Sequence, residues 1–223
     1  IQKNPPVSQS GNNVRVDYVN VQNVAIDYEI TAPADTAVRA HSGSGNQDVE
    51  GLKRGVDLES GSGDMQLRSL NGDIQTQTGS GNVRGRDLNG AIRASAGSGD
   101  IELEETGSGD VSVHTGSGNI QVRGINGGLQ AEAGSGDITA EGTQKNEWSV
   151  RTGSGNVHLR LPEQSAFDVD LTTSSGNIDL DHPVATTVQG RVHDTPQHKI
   201  VGKVQGGGPL VSVHTGSGDI SIR

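Results

Sequence analysis

A four-residue pattern, Gly-Ser-Gly followed by Asp or Asn, returns along the chain at nearly constant intervals. The first seven copies follow one another at steps that differ by no more than a single residue. A fixed repeat of about 18 residues is typical of a solenoid. The copies, one of them as Ser-Ser-Gly-Asn, start at Gly43, Gly61, Gly79, Gly97, Gly116, Gly134, Gly153, Ser174 and Gly216.

A weaker second turn lies midway between successive copies, as at 70–73 and 125–128. Between the turns, apolar and polar residues alternate, as in 111–115, and this period of two predicts short strands. The recurring glycines disfavour a helix, since each costs about 1 kcal/mol inside one. We therefore predict an all-β, single-stranded parallel β-helix (a β-solenoid) with two strands per coil and coils about 4.8 Å apart. The rule for parallel crossovers favours right-handed coiling.

The interior of this solenoid is predicted to be thin. Only 2% of the residues are aromatic, so Val, Ile, Leu and small residues must fill the core. Alternation assigns inward positions to Val56, Leu58, Met65, Leu67, Leu70, Ile74, Val83, Leu88, Ile92, Ile101 and Leu103. The charged residues Glu102, Glu104 and Glu105 are assigned mainly to a solvated outer face.

The pattern predicts one solenoid domain over residues 14–223, after a loose N-terminal end at 1–13. Residues 14–42 are expected to form a capping coil, because an open solenoid end exposes unpaired strand edges. Regular coils follow over 43–180. An insertion at 181–209 interrupts the repeat, and its segments 188–192 and 199–204 are expected to pair as a hairpin that covers the last open edge. Residues 210–223 form the final coil.

The fourth position of the repeat alternates between Asn and Asp. We expect these residues to stack as a hydrogen-bonded turn ladder. Two carboxylates about 4.8 Å apart repel by about 1 to 3.5 kcal/mol, and an intervening Asn relieves this repulsion. The predicted ladder comprises Asn46, Asp64, Asn82, Asp100, Asn119, Asp137, Asn156, Asn177 and Asp219.

Two weak metal candidates stand beside this structural interpretation, and we expect neither a metal nor a cofactor. Asp64, Asp100 and Asp137 follow glycines in stacked turns, as in calcium-binding nonapeptide solenoids, although the Asp spacing differs from that pattern. His193 and His198 form a local pair within the insertion. The Ser or Thr that precedes most copies of the repeat is expected to point inward and bond the turn backbone.

Composition narrows the classes of function. The net charge of −10 argues against nucleic acid or an anionic membrane as partner. There is no cysteine and no apolar run of the roughly 20 residues that span a bilayer. The motifs of a nucleophile elbow, a phosphate-binding loop and a zinc-protease helix are missing from the sequence. We therefore expect a protein that is not an enzyme.

The chain starts at Ile1, and its single methionine is Met65. We expect a processed protein whose signal peptide or membrane anchor lies outside this sequence, and hence an extracytoplasmic location in the periplasm or at the cell surface.

Three segments carry a resemblance to a known family: YEITAPADTAVRAHSGSGN at 28–46, LPEQSAFDVDLTTSSGNIDLD at 161–181 and GGGPLVSVHTGSGDISI at 206–222. Together with the repeats between them, they resemble a bacterial β-strand-repeat domain of unknown function that carries the label adhesin. The resemblance implies a β-helix on an extracytoplasmic segment, and it implies no catalytic residues.

The leading hypothesis is a non-catalytic surface module that binds a partner or acts as a spacer. The partner is expected to be a cell-surface glycan or an envelope protein. One alternative is an envelope signalling or stress-sensing ectodomain that docks a protein through the insertion at 181–209. A second alternative is a polysaccharide-acting β-helix enzyme, although the coils are short and the charges scattered.

Overall fold

The computed structural model of the chain describes residues 7–10, 13–16, 27–186 and 198–223. The chain divides into two compact units, Ile1–Ala32 and Pro33–Arg223. The described residues form strands and turns, and none of them belongs to a helix long and apolar enough to cross a membrane.

The first unit contains a small antiparallel pair of strands, β1 (Val7–Ser10) and β2 (Asn13–Val16), in which Val7 pairs with Val16. Strand β1 lies inside the segment that was expected to be a loose end, where few apolar residues signal a strand. The boundary between the units falls within the predicted capping coil at 14–42, so β2 belongs to the first unit. The capping role of this segment stays a prediction.

The second unit is a β-solenoid, as predicted, with two sheets of mainly parallel strands facing each other across the core. Its strands are β3 (Val38–Ser44), β4 (Gln47–Glu50), β5 (Val56–Ser62), β6 (Met65–Asn71), β7 (Ile74–Ser80), β8 (Val83–Asn89), β9 (Ile92–Ser98), β10 (Ile101–Glu105), β11 (Val111–Ser117), β12 (Ile120–Ile125), β13 (Leu129–Ser135), β14 (Ile138–Gly142), β15 (Trp148–Ser154), β16 (Val157–Arg160), β17 (Phe167–Ser175), β18 (Ile178–Leu180), β19 (Val184–Thr186), β20 (Lys199–Val204), β21 (Leu210–Ser217) and β22 (Ile220–Ile222).

Each coil contributes one strand to each sheet. The odd-numbered strands from β3 to β21 and strand β20 form an eleven-stranded sheet, and the remaining strands form a nine-stranded sheet. Neighbouring coils stack in register, so Ile74 pairs with Ile92 and Ile101 with Ile120. Equivalent side chains therefore form columns along the solenoid axis.

The alternation of the sequence places the core as expected. All eleven predicted inward residues are at most 2% exposed. Trp148 and Phe167 enter the core where the coils become irregular, and both are fully buried. The Trp148 indole N–H donates to the Gly127 carbonyl oxygen at 3.0 Å, so its one polar group is satisfied inside the core.

The final coil of the sequence does not lie at the end of the solenoid. We call residues 210–223 the terminal arch, residues 148–160 coil 7 and residues 167–180 coil 8. Strand β21 lies between β15 and β17, and β22 lies between β16 and β18. The terminal arch is therefore inserted between coil 7 and coil 8, two coils that follow each other in the sequence.

Strands β20 and β19, the described strands of the insertion at 181–209, cover the edge of coil 8 in the eleven-stranded sheet. Strand β20 pairs antiparallel with β17 on one side and with β19 on the other. The predicted partner segment 188–192 lies outside the described residues. Two ion pairs link β20 to β17, from Lys199 to Asp170 at 3.6 Å and from Lys203 to Asp168 at 3.9 Å.

The repeated turn brings backbone from adjacent coils into contact. A Cβ atom at Gly99, whose φ is +146°, would overlap the carbonyl oxygen of Gly81 in the preceding coil. The Gly99 amide donates to the Ser117 carbonyl oxygen of the following coil at 2.9 Å. The turn thus needs glycine both for its backbone conformation and for the approach of the next coil.

A Gly99→Ala substitution should destabilise the solenoid by about 3 kcal/mol, since positive φ and overpacking each cost roughly 1 to 3 kcal/mol. Gly43→Ala is the matched control, because nothing lies within 4 Å of a Cβ atom at that position. Urea unfolding of both variants measures the difference. Equal unfolding midpoints would show that close approach between coils does not constrain the turn.

Candidate functional site

The predicted turn ladder runs along one edge of the solenoid. In each step, a side-chain Oδ1 atom accepts a hydrogen bond from the backbone amide of the next Asx residue, at 2.7 to 3.0 Å. The spatial order is Asn46, Asp64, Asn82, Asp100, Asn119, Asp137, Asn156, Asp219 and Asn177.

The terminal arch makes the alternation of this ladder complete. In the sequence, Asn156 is followed by Asn177, which breaks the pattern. In the structure, Asp219 lies between them: its amide donates to Asn156 at 2.9 Å, and its carboxylate accepts from the Asn177 amide at 2.8 Å. Every aspartate of the ladder therefore has an asparagine on each neighbouring coil.

The spacing of the ladder also bears on the calcium candidates. Asp64, Asp100 and Asp137 lie two coils apart, which is about 9.6 Å at the usual strand spacing. Ligands of one calcium ion must all lie within about 2.3 to 2.6 Å of it. Among the described residues, no three His, Asp or Glu side chains are grouped so as to hold a metal ion.

The hydroxyl column beside the ladder is structural, as predicted. Thr115 and Thr152 are at most 3% exposed, and their hydroxyl groups donate to glycine carbonyl oxygens of the preceding coil at 3.0 Å. Thr215 makes the same bond from the terminal arch to Gly155. These hydroxyl groups therefore point into the corner and donate to turn carbonyl oxygens, instead of facing solvent.

The histidines are dispersed. His41 and His114 lie on the outer side of the eleven-stranded sheet, where each approaches a glutamate of the next coil, Glu59 at 3.3 Å and Glu132 at 3.8 Å. Of the two metal candidates in the insertion, His198 is exposed at the start of β20 and His193 lies outside the described residues.

The outer face of the nine-stranded sheet carries the densest charge. Its arginines and acids belong to facing positions of successive coils, so their ion pairs connect coil to coil. Arg68 contacts Asp48 at 2.7 Å, so this ion pair occupies donors of its guanidinium group. The exposed arginines of this face are Arg68, Arg84, Arg86, Arg123, Arg160 and Arg223.

A depression of about 320 Å³ lies on this face where the terminal arch is inserted. Ser221, a small residue of the arch, forms its floor between His158 of coil 7 and Asp179 of coil 8. Arg160 and Arg223 border it, and their side chains are 72% and 68% exposed. Coil 7, the terminal arch and coil 8 therefore build one concave site together.

The guanidinium groups beside the depression keep donors available. Arg160 lies 3.9 Å from Glu141, and Arg223 lies 3.5 Å from Asp181 and 3.9 Å from Asp179. Charge-assisted hydrogen bonds are shorter, about 2.7 to 2.9 Å. These contacts therefore leave guanidinium donors of Arg160 and Arg223 free, and such donors can pair with a carboxylate. Two aspartates, Asp179 and Asp219, line the depression beside the two arginines.

The serine, histidine and aspartate of this depression do not form a nucleophilic relay. In such a relay, the histidine contacts both the serine and the carboxylate. Here Ser221 occupies the central strand, so His158 and Asp179 lie two strands apart, about 9.6 Å at the usual spacing. The geometry fits binding better than acyl transfer.

Comparison with known families agrees with this architecture. The family model Toastrack DUF4097 matches residues 56–223, about three quarters of the chain. The chain belongs to the Toastrack DUF4097 family. The match confirms the predicted β-solenoid repeat domain of unknown function and names no ligand or activity. No curated protein and no solved structure matches the chain.

This Toastrack domain also contains one buried carboxylate that the sequence assignment missed. Glu105 is 3% exposed, and neither of its carboxylate oxygens has a well-formed hydrogen bond among the described residues. Its register partner is Leu88, and the equivalent inward residue of the next coil is Ile125. Glu105 was grouped with the solvated acids because of its charge, but the alternation from Ile101 through Leu103 points it inward.

Burial raises the pKa of Glu105 to about 7. The nearby backbone amides of Gly109 and Asn126 oppose this rise, and the Asp110 carboxylate adds to it. The pKa of Asp110 is lowered, because its carboxylate accepts hydrogen bonds from the Asn146 side-chain amide at 3.0 Å and the Gly128 backbone amide at 2.7 Å. Glu105 thus holds its proton at pH values where Asp110 is charged.

The raised pKa predicts that the domain loses stability between about pH 4.5 and pH 7. The unfolded carboxyl ionises near 4.5, and the folded one near 7. The Glu105 contribution is fully present below the lower value and is lost as the pH rises through the upper one. At about 1.4 kcal/mol per pKa unit, the loss is roughly 3 kcal/mol.

Glu105→Gln should therefore unfold with nearly the same free energy at pH 5 and pH 8, whereas the unsubstituted chain should be less stable at pH 8. Glu104→Gln, which changes an exposed neighbour, is the control. Urea unfolding at both pH values measures the effect. An identical pH dependence in the Glu105→Gln variant and the unsubstituted chain would contradict the assignment.

Proposed function

We propose that this Toastrack domain is a non-catalytic interaction module that works outside the cytoplasm and binds a carboxylate-bearing envelope glycan on its nine-stranded face. The observation that supports this proposal is the shallow depression at Ser221, which is bordered by the solvent-exposed guanidinium groups of Arg160 and Arg223. Such groups recognise carboxylates by paired hydrogen bonds.

The charge distribution is compatible with an acidic ligand at this face, despite the net charge of −10. On the face itself, arginines and acids nearly balance. Three aspartates of the turn ladder, Asp64, Asp100 and Asp137, lie on other coils, whereas Asp219 lines the depression together with Asp179. At physiological salt, charges more than about 8 Å from a ligand are largely screened.

The extracytoplasmic location rests on the resemblance to the bacterial repeat domain described above. A spacer role and a protein-binding ectodomain remain the competing proposals. They differ in what they predict for the purified domain: a spacer binds none of the envelope polymers, and a protein-binding ectodomain binds an envelope protein through the insertion at 181–209.

Binding of the purified domain to an array of acidic and neutral envelope glycans, with calcium and with chelator, is the direct test. We expect selective binding to carboxylated glycans that weakens as salt rises and is unchanged by chelator. Binding that requires calcium would contradict direct contact between the arginines and the carboxylate. An absence of binding to every glycan would overturn the proposal and favour a spacer or a protein partner.

Arg160→Ala and Arg223→Ala should each weaken glycan binding by about tenfold or more, since a hydrogen bond to a charged group is worth about 1.5 to 3 kcal/mol. Arg93→Ala and Arg151→Ala are matched controls, because both remove an exposed arginine from the outer face of the other sheet. Equal losses in all four variants would indicate nonspecific charge attraction rather than a site.

A further inference from the structure

The terminal arch is held along both of its sides. In the eleven-stranded sheet, Val211, Val213 and Thr215 pair with coil 7 on one side and with coil 8 on the other. In the nine-stranded sheet, Ile220 and Ile222 do the same. All five residues are at most 1% exposed. Without this segment, coil 7 and coil 8 would face each other across a slot one coil wide in both sheets.

The residues on either side of this slot favour a particular residue type at the ladder position of the arch. Asn156 of coil 7 and Asn177 of coil 8 lie on either side, so the ladder position between them takes an aspartate without placing two carboxylates on adjacent coils. The octapeptide at 211–218 is identical to that at 111–118, but Asp219 stands where the earlier segment has Asn119. The two segments therefore differ at the ladder position, where Asp219 continues the alternation between Asn156 and Asn177.

The connection into the arch is a sharp reversal. Gln205, Gly206 and Gly207 all have positive φ, and the Gly207 amide donates to the Val204 carbonyl oxygen at 2.9 Å. Glycine adopts positive and negative φ angles at similar free-energy cost. If this turn straightens, residues 210–223 leave their slot as a unit, with every pairing group of the arch intact.

We propose that the slot between coil 7 and coil 8 accepts the terminal arch of a second copy of this chain, so that two copies join by exchanging residues 210–223. The exchanged contacts are the same as those within one chain, which is the condition for domain swapping. The closed single chain is favoured at low concentration, because its own arch has a high effective concentration at the slot. In the exchanged pair, Ser221 and Arg223 of each depression come from the other copy. This inference does not depend on the ligand proposed above.

Cysteine cross-linking between full chains tests the exchange, because the natural chain has no cysteine. Ser154 and Ser217 are exposed register partners on β15 and β21, and neighbouring strands hold Cα atoms at disulfide distance. A Ser154→Cys chain and a Ser217→Cys chain, with tags of different size, are mixed at high concentration, warmed to just below the unfolding midpoint, cooled and oxidised. We expect the mixed disulfide to form in several-fold excess over the matched control.

The matched control replaces the first chain by a Ser98→Cys chain, which places an exposed cysteine at the same turn position in a coil that does not contact the arch. Equal yields of mixed disulfide in the two mixtures would overturn the proposal. A single chain carrying both Ser154→Cys and Ser217→Cys should close an internal disulfide at low concentration. Failure of that closure would overturn the inserted position of the arch, and with it the exchange.

Discussion

The stacking of one coil directly on the next, at the spacing of paired strands, is the constraint on which this structure depends. At the repeated turn, the carbonyl oxygen of one coil occupies the space that a side chain of the next coil would need, as at Gly81 and Gly99. The amide hydrogen bonds of the turn then pass from coil to coil. The recurring glycines are therefore a consequence of the stack as much as of local turn geometry.

Stacking in register also makes each column sensitive to repeated charge. The turn ladder meets this condition by alternating a charged and a neutral acceptor, so that each backbone amide is bonded and no two carboxylates are adjacent. On the outer face of the nine-stranded sheet, some facing positions carry opposite charges, such as Glu50 and Arg68, although Arg68 also faces Arg86. Glu105 departs from these solutions, because it places a carboxylate in a column of leucine and isoleucine and holds a proton near neutral pH.

Local pattern was sufficient to predict the solenoid, the period and the inward residues, because each depends on neighbours in the sequence and on the alternation of one strand. It was insufficient for the order of the coils, which depends on pairing between segments that the chain does not join directly. The two successive asparagines Asn156 and Asn177 were the available signal that an aspartate lies between them. The depression at Ser221 could not be predicted without that order. The burial of Glu105 was missed for another reason: its charge favoured an outward assignment, although its place in the alternation is inward.

The alternation of the turn ladder sets a rule for how such a domain can change length. Adding or deleting a single coil in the middle of the stack would bring two aspartates or two asparagines onto neighbouring coils. Adding or deleting two coils leaves the alternation intact, because each aspartate still has asparagine on both sides. A pair of coils, one with aspartate and one with asparagine, is therefore the unit that can be added without placing two carboxylates on neighbouring coils.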